Sequence, residues 1–351
     1  MAPTTSFTPT DDLTATAPPE HRGLARDQVR LLVATGDGIT HARFADLPDN
    51  LRRSDLLVVN DSGTLPAELD GGWRGGRPIV VHLATDLGDG SWVIELRSGP
   101  DAAGQVLDAE AGELVRLAGR ARLRLAAPYP RPTSSPTGTG NRLWRARLAG
   151  TGPVLPYLYR WGRPIAYGYL DQRYPLPDYQ TIFAVHPGSA EMPSAGRPFT
   201  PRLVARLIAA GITVASVTLH TGVSSQDAGE APQSEWFDVP VSTARLVART
   251  RQAGGRVVAV GTTVTRALES AATSDGSVLA TSGRTTLVID PCRGVRVVDG
   301  LITGWHNPEA SHLLLVEAVA GAALTQRAYD AAIAHRYRWH EFGDAGLLLP
   351  R

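Results

Sequence analysis

Between about residues 65 and 150 the chain carries no helix-length hydrophobic period. Short runs with strand character (78–83, 91–96, 113–125 and 142–148) alternate there with Gly-rich turns such as Leu87-Gly-Asp-Gly90. Strands of this kind, with no helix to cover them, must close on one another. The stretch is therefore expected to form a small β-barrel or sandwich. Residues 128–140, dense in Pro, Ser and Thr, read as an exposed loop.

The flanking chain is different. Residues 29–34 read as a strand, and 55–60 as a buried one ending in polar groups. Thr200-Pro201 sets an N-cap followed by a proline at the first helical position. Leu203, Val204, Leu207 and Ile208 then share one helix face, and Gly211 stops it. Further strands are expected at 212–220, 256–261, 285–289 and 295–302, with helices at 242–253, 263–272, 310–320 and 325–336. Such alternation implies a largely parallel sheet covered on both faces. The fold class is thus α/β, a mostly parallel sheet flanked by helices with an inserted small β-barrel. Residues 1–64 and 151–351 would form the α/β domain and 65–150 the insert, while residues 1–20, rich in Thr and Pro, read as a loosely held arm.

Composition narrows the chemistry. An apolar fraction of 43% suits a packed core. The single cysteine, Cys292, rules out an internal disulfide and fits a reducing compartment. All 35 basic residues are Arg, which excludes Schiff-base and lysine-nucleophile chemistry, and the net charge is only +1. Overall charge therefore does not announce a nucleic-acid binder. No signal peptide is visible, and the most apolar helical stretch, 312–324, is too short to span a bilayer. These features read as a cytoplasmic protein, expected to be a monomer, with no membrane association. No His, Cys and carboxylate cluster has ligand spacing, so no metal is expected.

In open α/β sheets ligands collect at the carboxyl ends of strands. Four such ends carry unusual residues: Asn60-Asp61-Ser62, Thr218-Leu-His220-Thr-Gly222, Gly261-Thr262-Thr263, and the run from Asp299 to His306. Each has an ordinary reading beside the functional one. Asp61 could cap a turn, His220 could be a satisfied structural histidine, and Gly261-Thr262-Thr263 could be a tight turn capping a helix. Pro187-Gly-Ser189, Pro193-Ser-Ala-Gly196 and Ser234-Glu235-Trp236 are further polar loops. The residues alone reach an α/β enzyme with a multi-loop site and no named reaction.

The order of the segments is more specific. It runs from His41-Ala-Arg-Phe-Ala-Asp-Leu-Pro48, Asp55-Leu-Leu-Val-Val-Asn-Asp61 and Leu65-Pro-Ala67 to Tyr179-Gln-Thr-Ile-Phe-Ala184, Pro187-Gly-Ser189 and Pro193-Ser-Ala-Gly196 with Phe199-Thr200. It continues through Val217-Thr-Leu-His220, Ser234-Glu-Trp236, Val258-Ala-Val-Gly-Thr-Thr263, Arg266-Ala-Leu-Glu269 and Val298-Asp-Gly-Leu-Ile-Thr303 with His306. Arg336-Tyr-Arg338 and Phe342-Gly-Asp-Ala345 close it. This series resembles the S-adenosylmethionine:tRNA ribosyltransferase-isomerases over nearly the whole chain. The resemblance implies that the ribosyl part of S-adenosylmethionine, a co-substrate, is transferred to 7-aminomethyl-7-deazaguanine in tRNA. There it is isomerised to give epoxyqueuosine, with release of adenine and methionine. It also implies that Asp61, His220, Glu235 and His306 serve proton transfers and ribose contacts. Asn60, Ser194, Ala195, Gly196, Phe199, Thr218, Gly222, Gly261, Thr262, Thr263 and Arg266 would contact substrate.

The chain departs from the family pattern in ligand-facing places. Ser62-Gly63 and Glu68 stand where the family carries Thr-Arg and Arg, Pro198 replaces a histidine, and the segment from Gly222 to Glu235 is shortened. Losing two arginines and gaining Glu68 weakens the electrostatic case for a polyanionic partner. Two other readings therefore stay open: a paralogue using S-adenosylmethionine with a small acceptor, and a non-catalytic ligand-binding protein.

Overall fold

The structure, a computed structural model, describes residues 2–8, 11–132, 139–223, 233–308 and 311–350. Its strands are β1 (Arg30–Thr35), β2 (Ile39–Arg43), β3 (Leu56–Asn60), β4 (Ser62–Thr64), β5 (Glu68–Trp73), β6 (Arg77–Asp86), β7 (Trp92–Ser98), β8 (Leu114–Leu117), β9 (Arg122–Tyr129) and β10 (Leu143–Ala149). They continue with β11 (His186–Ser189), β12 (Thr213–Leu219), β13 (Glu235–Val239), β14 (Val257–Val260), β15 (Thr281–Thr285), β16 (Gly300–Thr303) and β17 (Ala345–Leu349). The α-helices are α1 (Val154–Trp161), α2 (Pro201–Ala209), α3 (Val241–Gln252), α4 (Thr262–Ser270), α5 (Ser311–Ala320) and α6 (Ala322–Ala334).

Every residue of β3 is buried. Leu56 and Val58 pack with Val264, Leu268, Leu313 and Tyr329 from α4, α5 and α6. Leu57 and Val59 face Phe44, Leu203 and Leu207 on the opposite side. Two-sided burial is the reason the strand reads as an unbroken apolar run. The sheet order is β15-β13-β12-β3-β14-β16-β17-β1-β2. β12, β3, β14 and β16 are parallel neighbours, as are β17 and β1. The parallel character expected from the sequence thus belongs to the centre. The edges and the β16–β17 pair are antiparallel.

Strands β10-β7-β6-β5-β8-β9 close into a barrel around a core that includes Trp73, Leu83, Ile94, Leu123 and Trp144. A row of ionisable groups crosses it: Glu68 lies opposite His82, and His82 opposite Glu95. Glu68 is fully buried and meets His82 at 3.1 Å, Arg163 at 2.6 Å and Arg173 at 2.7 Å. Its charge is spent on pairing with His82, Arg163 and Arg173 rather than displayed at the surface.

Four local expectations are corrected. The N-terminal arm is docked, not loose: Thr5 donates through its backbone N and its hydroxyl to Glu317, both at 2.6 Å, and Leu13, Ala15 and Ala17 are buried. The run at 113–125 breaks between β8 and β9 at a tight turn, where Gly119 and Arg120 take φ of 64° and 65°. The strand expected at 285–289 lies earlier, as β15, because its register is set by pairing with β13; Leu287, Val288 and Ile289 turn away to line a cleft. The strand expected at 295–302 shrinks to β16. The Glu269 carboxylate captures the backbone N–H groups of Arg296, Val297 and Val298 (2.9, 2.8 and 3.3 Å), donors a longer ladder would have used. Of the expected loop at 128–140, residues 133–138 lie outside the described residues, as does most of the shortened segment after Gly222.

Candidate active site

The carboxyl ends of β3, β12, β14 and β16 converge where the sequence placed its unusual residues. Asn60 ends β3 as a clip. Its Oδ1 accepts from the backbone N–H groups of Leu219 (3.0 Å) and Ser62 (3.1 Å), and its Nδ2 donates to Leu219 O and Thr263 Oγ1. Asp61 follows it, 8% exposed, and its Oδ1 accepts a 2.6 Å bond from Thr218 Oγ1. His220 Nδ1 lies 2.8 Å from Ser62 Oγ, and its ring stacks on Trp236 at 5.1 Å. Burial, and then the neighbouring His186, push its pKa down to about 4, so the ring is neutral.

Gly188 leaves the space that this ring occupies: a Cβ there would stand 2.4 Å from His220 Cε1. The ring cannot retreat past Trp236. Gly188→Ala is therefore expected to expel the imidazole into solvent. An NMR titration would then find its pKa raised from about 4 toward the ordinary 6.5. A value still near 4 would mean that the 186–189 segment yields instead.

Beside this cluster lies a cleft of about 560 Å³, within the range that holds a nucleoside-sized ligand. Glu235, His306, Ser194, Ala195, Gly222, Gly261, Thr262, Thr263 and Arg266 all line it. Gly261 has φ of 99°, which a side chain would resist, and it turns β14 into α4 so that the first N–H groups of the helix face the cleft. Glu235 accepts from Gly222 N at 3.0 Å and ion-pairs with Arg266. Burial nonetheless pushes the Glu235 carboxyl upward against the pull of Arg266. His306 Nε2 lies 3.0 Å from Thr303 Oγ1, and the ring stacks on His312 at 4.8 Å. Burial holds His306 well below its usual pKa and brings His312 down to about 4.

Asn60, Asp61, Thr218, His220, Gly196 and Phe199 are not among the lining residues. The first four form the adjoining cluster, joined to the cleft through Thr221. Gly196 sits in a tight turn whose N–H bonds Pro193 O at 3.0 Å. Phe199 is fully buried between Phe44 and Phe183, with ring centroids at 5.0 and 5.2 Å.

The cleft also gathers groups that the sequence reading passed over: Tyr167, Tyr169, Glu191, His312, His340 and Glu341. The Tyr167 hydroxyl donates to Glu191 Oε1. Tyr169 stacks on His340 at 4.7 Å and hydrogen-bonds Glu341. Glu341 Oε1 has no hydrogen-bond partner among the described residues. Burial, reinforced by the charge of Glu191, pushes its pKa up to about 8. Three of these residues carried a signal. His340-Glu341 falls between Arg336-Tyr-Arg338 and Phe342-Gly-Asp-Ala345, and Glu191 between Pro187-Gly-Ser189 and Pro193-Ser194. Nothing in the local sequence marked Tyr167 or Tyr169.

Known proteins match this architecture from end to end. The family model described as "Queuosine biosynthesis protein" matches residues 4–348. The S-adenosylmethionine:tRNA ribosyltransferase-isomerase of Acaryochloris marina is 36% identical over 93% of this chain and 88% of its own. The protein of that name from Gloeobacter violaceus is 37% identical over 93% and 90%. The crystal structure of the S-adenosylmethionine tRNA ribosyltransferase of Thermotoga maritima superposes with a TM-score of 0.53. It is 28% identical and covers 98% of this chain and 99% of that one. This chain belongs to the queuosine biosynthesis protein family.

Proposed function

We infer that this chain is an S-adenosylmethionine:tRNA ribosyltransferase-isomerase. It transfers the ribosyl portion of S-adenosylmethionine to the aminomethyl group of 7-aminomethyl-7-deazaguanine in tRNA and isomerises it, releasing adenine and methionine. The observation that carries this is full-length similarity to relatives bearing that name, 36% and 37% identical over 93% of the chain. The same similarity favours a tRNA acceptor over a small one and an enzyme over a binding protein. In this reading residues 1–64 and 151–351 make the catalytic α/β domain, and 65–150 the inserted barrel domain. The span of the barrel strands, Glu68 to Ala149, supports that division. No helix among the described residues is long and apolar enough to cross a membrane.

The reaction needs a base to take a proton from C5′, made acidic by the adjoining sulfonium, and an acid to protonate the departing adenine. Glu341 is a carboxylic acid that keeps its proton at neutral pH, and its free Oε1 can receive one back. We assign it the donor role. Glu191, oriented by the Tyr167 hydroxyl, is its counterpart and serves as the base. His306 with Glu235 borders the ribose, with the N–H groups of Thr262 and Thr263 approaching ligand oxygens. Asp61 and His220 position the segment that ends in Thr221 and Gly222.

Adenine release from S-adenosylmethionine, measured with and without tRNA bearing the deazaguanine precursor, tests the reading. Release dependent on that tRNA is expected. Release with a free small acceptor, or with none, would point to the paralogue, and no release at all to a binding protein.

A further inference from the structure

The net charge of +1 conceals a strong local asymmetry. Residues 113–150 contain eight Arg and one Glu, a net +7. Two of the eight are engaged internally: Arg142 is buried on Glu95 at 3.0 Å, and Arg145 pairs with Asp89. The other six, Arg116, Arg120, Arg122, Arg124, Arg131 and Arg147, are exposed.

Strand alternation puts four of them on one face. In β8 and β9, Val115, Leu117, Leu123 and Leu125 point into the barrel, so Arg116, Arg122 and Arg124 point out. The register sets Arg116 directly opposite Arg122, and Arg124 directly opposite Arg147 of β10. Like charges opposed across a ladder destabilise a sheet. Among the described residues Arg116, Arg120, Arg122 and Arg124 enter no ion pair, while Arg147 donates to the Asp89 carbonyl at 3.2 Å and lies within the field of the Asp89 carboxylate, which Arg145 already pairs. Repulsion of this kind is relieved when a polyanion lies across the face.

The face also leads to the active site. At the far end of β9 the Tyr129 hydroxyl meets the backbone of Ser234, between the cleft-lining residues Gln233 and Glu235. At about 3.4 Å per residue, Arg124 and Arg122 stand about 17 and 24 Å from that end. Arg131, just beyond it, is exposed as well.

We propose that the outward face of β8, β9 and β10 is the docking surface for the sugar-phosphate backbone of the tRNA stem adjoining the reacting base. The base enters the cleft while its stem lies along the barrel. This rests on the proposed tRNA-dependent reaction and adds to it the place where the RNA binds. Planar guanidinium forks suit phosphate, and contacts of this sort supply affinity without reading sequence.

The test is the triple variant Arg116→Gln, Arg122→Gln, Arg124→Gln, with tRNA carrying the deazaguanine precursor as the probe. Each lost phosphate contact lowers the slope of log K against log salt by about one unit. The triple is expected to flatten the slope by about 2 to 3 and raise Kd at least about tenfold at physiological salt. KM for tRNA should rise in step, with kcat at saturating tRNA retained. Should the triple fail to fold, the single variants Arg122→Gln and Arg147→Gln are measured in its place, each expected to flatten the slope by about one. An unchanged Kd and slope, alongside wild-type adenine release that depends on tRNA, would overturn the docking face and leave the reaction standing. Wild-type protein releasing adenine without regard to tRNA would overturn the reaction itself.

Discussion

Replacing Glu341 by Gln is expected to slow adenine release by about 10²- to 10⁴-fold, the usual worth of a general acid, while making the protein harder to unfold. Both effects have one cause. Burial and the charge of Glu191 raise the Glu341 pKa from 4.5 to about 8. The folded protein therefore binds a proton that the unfolded chain gives up. Stability is full below about pH 4.5, falls as pH rises, and has lost this contribution once pH passes about 8. At pH 7 the deficit is on the order of 3 kcal/mol. Glutamine keeps the shape and cannot ionise, so the variant should gain stability at pH 7 and much less at pH 5. Wild-type activity should decline as pH rises through about 8, when the acid form is lost. Urea unfolding at the two pH values, with single-turnover adenine release, checks all three. A variant with wild-type turnover would remove Glu341 from the chemistry, whatever its stability.

Arg266→Ala should cost about 3–5 kcal/mol at pH 7, the penalty for leaving a buried carboxylate without its partner. The guanidinium commits its donors within the protein. One end pairs with Glu235, Nε reaches Leu287 O at 3.2 Å, and Nη2 reaches Gln233 O at 3.3 Å. It ties α4 to β13 and to the wall formed by Leu287. These contacts fit a positioning role better than direct substrate contact. Without Arg266 the Glu235 carboxyl, already pushed upward by burial, moves further up. The defect should therefore shrink as pH falls and Glu235 takes a proton. Adding Glu235→Gln to Arg266→Ala should recover part of the loss. Urea midpoints at pH 5 and 7.5 measure it. An unchanged midpoint with a raised KM for S-adenosylmethionine would instead assign Arg266 to the substrate.

The sequence by itself determined the architecture and the family. Its two hydrophobic periods separated sheet from barrel, because β3 must be apolar on both faces while β8 and β9 alternate. The ordered motifs named the reaction because they are contiguous strings set at the ends of strands. Contiguity is also where legibility stopped. Glu341, Glu191 and the Tyr167–Tyr169 pair come from three separate loops, and no local pattern joins them. Only the folded chain brings them together along the cleft and raises the Glu341 pKa to about 8. Asp61 and His220 stood out in the sequence, yet tertiary packing set them beside the cleft, one bonded to Thr218 and the other held against Trp236. Strand boundaries at 285–289 and 295–302 were misread for a related reason. A remote carboxylate, Glu269, and a partner strand, β13, competed for backbone groups whose local pattern favoured a ladder. The arginine face shows the same division. The chain holds eight Arg between residues 113 and 150 in plain view. Barrel register alone decided which of them share a surface, because a shift of one residue would turn Arg122 and Arg124 inward.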